Sequence, residues 1–107
     1  MIYQGSNDNI VLEFPESMKN IEDFSALLYY DSKTFKHWTL NDITINKSEI
    51  YLPITQEESV QFQKCKATLE VKFLKKGSDT VTFADKAEID IVSRKDKTIM
   101  KRKIETE

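Results

Sequence analysis

Residues 65–73 read Cys-Lys-Ala-Thr-Leu-Glu-Val-Lys-Phe, and they decide the fold. Cys65, Ala67, Leu69, Val71 and Phe73 fall on one side of an extended chain, and Lys66, Thr68, Glu70 and Lys72 on the other. Nine residues of strict alternation predict a strand with one dry and one wet face. The stretch before it, TQEESVQF (residues 55–62), changes period. Thr55 and Glu58 match the capping-box spacing, in which two side chains satisfy amides that a helical first turn leaves unpaired. Ile54 and Ser59 do not make a hydrophobic staple, so Val60 and Phe62 are the residues expected to enter the core. A turn this short is held by packing. Its expected task is to carry the chain from one sheet to another.

Outward from there, strands dominate. Asn9–Phe14 is short and apolar, and Pro15 ends it by removing a backbone donor. Asp23–Tyr30 alternates with neither face strongly polar, which predicts a central strand covered on both sides for part of its length. Phe24, Ala26, Leu28 and Tyr30 share one face, and Ser25, Leu27 and Tyr29 the other. Thr34–Trp38 follows, with Phe35 on one face and Lys36 and Trp38 on the other. Ile43 and Ile45 mark a short strand. Ile50, Leu52 and Ile54 give a clean period of two, and Pro53 among them predicts an edge strand or a strand whose amide faces solvent. Gly77 supplies positive φ to a loop over residues 75–79. Val81 and Phe83, and then Ala87, Ile89 and Ile91, are expected to face inward. Seven to eight short strands with regular turns predict an all-β, immunoglobulin-like antiparallel β-sandwich, with one short helical turn near residues 55–62. Residues 1–93 form the expected single domain. Residues 94–107 are a basic C-terminal edge strand built on Ile99 and Met100, or a frayed tail.

Composition fits this class. The 107 residues are 39% hydrophobic and 32% charged, enough for one core and a solvated surface. The net charge of −2 selects no partner, but its distribution is uneven. Residues 1–62 hold 4 basic and 10 acidic side chains, and residues 63–107 hold 12 basic and 8 acidic. Such asymmetry can align copies or meet a charged partner. The plainer reading is that lysines guard exposed strand edges. One cysteine excludes an internal disulfide and suits a reducing compartment. The N-terminus lacks a signal-peptide pattern and no apolar run reaches membrane-helix length, so synthesis in the cytoplasm without membrane insertion is expected.

Chemistry-bearing residues are sparse. His37 is the sole histidine, which excludes a histidine-rich metal site. Cys65 opens the inward row of a strand and reads as a small hydrophobe. Glu88 and Asp90 share an outer face and read as solvated charge rather than a glycosidase pair. Two glycines in the whole chain leave no phosphate loop. No cofactor and no catalysis are expected. The candidate interaction residues are Tyr29, Tyr30, Phe35, His37, Trp38 and Tyr51, because exposed aromatics stack on sugars or anchor interfaces. For Trp38 the competing reading is a core residue between the sheets. The basic residues Arg94, Lys95, Lys97, Lys101, Arg102 and Lys103 lack interleaved aromatics, so nucleic-acid binding is not expected.

The opening IYQGSNDNIVLEF resembles that of small proteins encoded among the tail and head genes of phages and prophages of low-GC Gram-positive bacteria. YLPITQEESVQFQKCKATLEVKF resembles their strand–turn–strand element, and FADKAEIDIVSRKDKTI their closing hairpin. More distantly, the layout is similar to the N-terminal immunoglobulin-like domain of phage baseplate upper proteins. The resemblance spans about Ile2 to Ile99. It implies a tail, baseplate or other virion component made in a bacterial host, whose partners are itself or other phage structural proteins. It implies no catalytic residues. The alternative expectation is a carbohydrate-binding module that meets cell-surface glycan through Trp38, Tyr29, Tyr30 or Tyr51.

Overall fold

A computed structural model describes residues 1–94 of the protein. The expected last strand at Ile99 and Met100, and the basic residues from Lys95 onward, lie outside the described residues. The described strands are β1 (Ile2–Tyr3), β2 (Asp8–Glu13), β3 (Ile21–Tyr30), β4 (Lys33–Thr39), β5 (Thr44–Asn46), β6 (Glu49–Ile54), β7 (Cys65–Lys75), β8 (Thr82–Phe83) and β9 (Ala87–Val92). A 3-10 turn spans Leu40–Asp42, and one helical turn, α1, spans Gln56–Val60. The strands form two sheets. The larger runs β1-β9-β7-β3-β4, with β8 also on β7, and the smaller runs β2-β6-β5. With β2, β6 and β5 as strands B, E and D, and β9, β7, β3 and β4 as G, F, C and C′, this is the immunoglobulin-like arrangement. The first strand of the B-E-D sheet, which would lie outside β2, is missing among the described residues. β1 instead runs parallel to β9, the one departure from an antiparallel sandwich.

β7 sits where its alternation predicts. Ala67, Leu69, Val71 and Phe73 are buried, while Lys66 and Lys72 are exposed. Its inward row meets Ile50, Leu52 and Ile54 of β6 in one core with Phe24, Ala26, Leu28, Trp38, Phe62 and Ile91. Pro53 lies on the central strand of the small sheet, beyond the last β5 pair at Thr44–Tyr51. Its carbonyl accepts the Trp38 indole N–H at 2.9 Å. An antiparallel residue turns its N–H and C=O to the same side, so the missing proline donor faces a place where no ladder runs.

The capped turn changes sheets, linking β6 to β7 as its sequence predicts. Glu58 N–H donates to Thr55 Oγ1 at 3.1 Å, and Thr55 N–H donates to Glu58 Oε1 at 2.9 Å. Phe62 is buried, and Val60 is half-buried. Ser59 is fully buried because its hydroxyl donates to Ser6 O at 2.7 Å. Gln4 Nε2 donates to Phe62 O and Gln56 N–H to Asn7 Oδ1, so residues 4–7 are stitched to the turn. Thr55→Ala is expected to lower stability by about 1 kcal/mol, read from the denaturant midpoint.

Glu58 also forms an ion pair with Lys36 of β4. Burial pushes its carboxyl pKa up, but the Lys36 hydrogen bond, the Thr55 amide and the Lys36 charge outweigh burial and hold it below the ordinary 4.5. A depressed carboxylate stabilises the fold above its unfolded pKa, and that contribution is lost as pH falls through the folded value. The midpoint is therefore expected to drop on acidification below about 4.5 in part through this group. Glu58→Gln is expected to flatten that portion of the midpoint-against-pH curve.

Three expectations are corrected. Val81 and Phe83 do not face inward; they are 44% and 74% exposed. Both β8 and β9 pair with β7, but the two residues of β7 between Leu69 and Lys72 are matched by three between Phe83 and Ala87. That one-residue bulge moves every side chain before it to the opposite face. The second correction concerns Phe35. Leu28 pairs with Lys36 and Tyr29 with Thr34, so Phe35 is the extra residue of a bulge. It therefore turns toward the core edge and stacks on Phe62, with centroids 5.3 Å apart. Third, a strand at Ile2–Tyr3 adds to the expected count, with Ile2 buried.

Candidate functional site

The outer face of the large sheet carries the most developed surface feature. β3 contributes Ser25, Leu27 and Tyr29, β4 His37, and β7 Glu70 and Lys72. The bulged segment after β8 closes one side with Phe83, Ala84 and Lys86. Most of these residues line a concavity of about 300 Å³. Its floor is apolar through Leu27, and its rim is charged. Lys86 Nζ and Glu70 Oε1 pair at 2.9 Å across the rim. The Lys86 hydrogen bond holds the Glu70 carboxyl below its usual range, and the Glu70 partner raises Lys86. Phe83 stands beside them, exposed because the bulge has flipped it outward.

His37 Nε2 and Ser25 Oγ lie 2.7 Å apart on neighbouring strands. A hydroxyl–imidazole pair becomes a nucleophile and base only when a third group orients the ring. The Asp42 carboxylate is engaged by Thr39, whose N–H and Oγ1 both donate to its Oδ2 at 2.9 Å. Ser25 and His37 both line the concavity. Cys65 is half-buried, and burial raises its thiol pKa, away from the thiolate that reactivity requires.

The structure does not gather the six aromatic and histidine candidates into one platform. Trp38 is fully buried, which corrects its assignment as a surface contact. Phe35 is half-buried against Phe62, with Lys33 Nζ 5.9 Å from its ring centroid. Tyr51 points outward from β6, on the opposite face of the sandwich from His37 and Tyr29. Tyr30 is 41% exposed at the end of β3. Tyr29 and His37 share the outer face with the groove. Sequence reasoning missed Phe83, Leu27, Lys72 and Lys86 as partners of His37. The polar run around Gly77 and the isolated Val-Thr-Phe were the only signals that this strand is broken. Among the described residues, no three His, Cys, Asp or Glu side chains converge to hold a metal, and no helix is long and apolar enough to cross a membrane.

The fold is an all-β sandwich of two sheets, and the outer face of the larger one carries the groove. No protein-family model matches the chain, and no curated protein matches it.

Proposed function

We propose that the protein is a non-enzymatic structural or assembly module of the phage or prophage kind, acting through protein–protein contacts made by the outer face of its large sheet. The observation that carries this reading is Phe83: an aromatic ring 74% exposed at the lip of an apolar-floored groove. Large apolar rings are left in water at a cost, and their usual use is as an interface anchor. The charged rim of Glu70, Lys72 and Lys86 suits the polar border that surrounds such anchors. The phage context comes from the sequence resemblance, whose QG pair and TQEES turn are the two segments that the Gln4, Ser59 and Gln56 hydrogen bonds join.

Phe83→Glu is the test. Binding of phage tail and baseplate proteins is measured by pull-down, and self-association by light scattering at micromolar concentration. The expected result is at least tenfold weaker association with an unchanged melting curve, because the ring is not part of the core. Association that survives the substitution, or a wild-type chain that stays monomeric and captures none of these proteins, counts against the reading.

A second reading rests on the same groove. An exposed ring flanked by Ser25, His37 and Glu70 has the mixture of stacking face and hydrogen-bonding groups that a sugar uses. NMR shifts of Phe83 and His37 on titration with cell-wall saccharides separate it from the first.

A further inference from the structure

The uneven charge of the chain reappears on the two outer faces of the sandwich. β2, β5 and β6 all come from the acidic first part, residues 1–62, whereas β7 and β8 come from the basic remainder. On the small sheet the strand pairing sets the outward residues in rows. Val11 stands across from Tyr51, and Glu13 across from Glu49. The first row is apolar, with Val11 45% exposed. The second carries two carboxylates directly across a ladder, an arrangement that costs stability.

The groove on the large sheet has the opposite sign. Lys72 and Lys86 both act on the Glu70 carboxylate, so its rim holds two ammonium groups against one acid. Phe83, 74% exposed, pairs with Lys72 across β7 and β8. The positive charge is confined to this spot. Asp23 is exposed on β3 to one side. On the other side, Glu88 and Asp90 of β9 outnumber Lys66, which stands across from Asp90. The core lies between the sheets, so the groove and the carboxylate row look in opposite directions.

Charge selects the occupant. Two grooves laid face to face would double the excess of lysine, and two small-sheet faces would crowd their carboxylates together. A groove laid on a small-sheet face sets cation on anion and apolar side chain on apolar side chain. A shift toward Asp23 or toward Glu88 and Asp90 brings the carboxylate row against like charge, so repulsion on both sides fixes the register.

We propose that the groove of one copy receives the outer face of the small sheet of the next, seating Phe83 on Val11 and Tyr51 and bringing Lys72 and Lys86 to Glu13 and Glu49. This inference rests on the assembly-module reading and names its partner as a second copy of the chain. The contact is heterologous, because each copy offers two different faces on opposite sides. Such a contact does not stop at two copies; it closes into a ring or continues as a filament.

Charge exchange in the full-length chain tests this, read by light scattering at micromolar concentration. The wild type is expected to grow past a dimer as concentration rises. Glu13→Lys/Glu49→Lys and Lys72→Glu/Lys86→Glu are each expected to weaken self-association about tenfold, because each variant then shows one sign of charge on both faces. An equimolar mixture of the two is expected to assemble again, because the exchanged faces complement each other. Growth that stops at a dimer, a swap that leaves association unchanged, or two swapped variants that stay apart when mixed overturns the inference. Where the melting curve of a swapped variant shows loss of the fold, Val11→Asp at its exposed position decides: weaker association supports the contact and unchanged association overturns it. A wild type that stays monomeric yet captures a phage tail protein through Phe83 overturns this inference alone. Self-association that survives Phe83→Glu overturns the assembly reading with it.

Discussion

Leu69→Asp is expected to leave the protein without a cooperative unfolding transition at room temperature. Leu69 is 1% exposed at the middle of β7, opposite Leu28 of β3 and Ala87 of β9. Removing a buried leucine side chain costs about 2–5 kcal/mol by itself, and an unpaired carboxylate in the same place adds a desolvation cost that no neighbour offsets. Domains of this size are stable by only about 5–15 kcal/mol, so the substitution consumes most or all of the margin. The measurement is a circular-dichroism melt, with Lys66→Gln as control. Lys66 is exposed on the opposite row of the same strand, and its replacement is expected to move stability by no more than about 0.5 kcal/mol. A native melt for Leu69→Asp would contradict the inward face on which both sheets are packed.

The contrast between Leu69 and Phe83 shows how far the fold was legible. Both belong to alternating stretches on the same strand pair. The long run around Leu69 holds its register over consecutive pairs with β3 and β9, so alternation reads directly as burial. Val81 and Phe83 are separated from Ile89 by an extra residue, and one insertion reverses every face that precedes it. Nothing in the residue types around Ala84–Lys86 announces that insertion. The bulge at Phe35 acts in the same way, turning inward a ring whose spacing from Trp38 places it on the other side. The capping box, by contrast, is a local code: Thr55 and Glu58 satisfy each other whatever the rest of the chain does, and the turn appeared where its sequence put it. The sandwich was therefore readable from its longest strands. The candidate site was not, because it is built from a register error that creates a groove. Of the residues named from sequence, His37 and Tyr29 reach that face, while Trp38, Phe35 and Tyr51 serve elsewhere.

Trp38 bears the second large effect. It is the one tryptophan of the chain, fully buried between β4 and β6, with Lys36 Nζ 5.6 Å from its ring centroid. Its indole ties the two sheets at the one carbonyl of β6 that has no strand beside it. Trp38→Ala is expected to destabilise the domain by about 3–5 kcal/mol, through lost burial and the cavity left behind. Trp38→Phe keeps most of the apolar volume but strands the Pro53 carbonyl, for an expected loss of about 1–3 kcal/mol. The ordering Ala worse than Phe, read from denaturant midpoints, separates packing from the hydrogen bond. Equal losses would mean that the ring volume contributes little beyond its N–H donor. The wild-type emission should be blue-shifted and move to the red in a single step on unfolding. It should also stay fixed when any groove ligand binds, because the indole lies on the inner side of the sheet and the groove on the outer. A ligand-induced change in that emission without unfolding would place the contact on the Trp38 side and contradict the groove as the binding face.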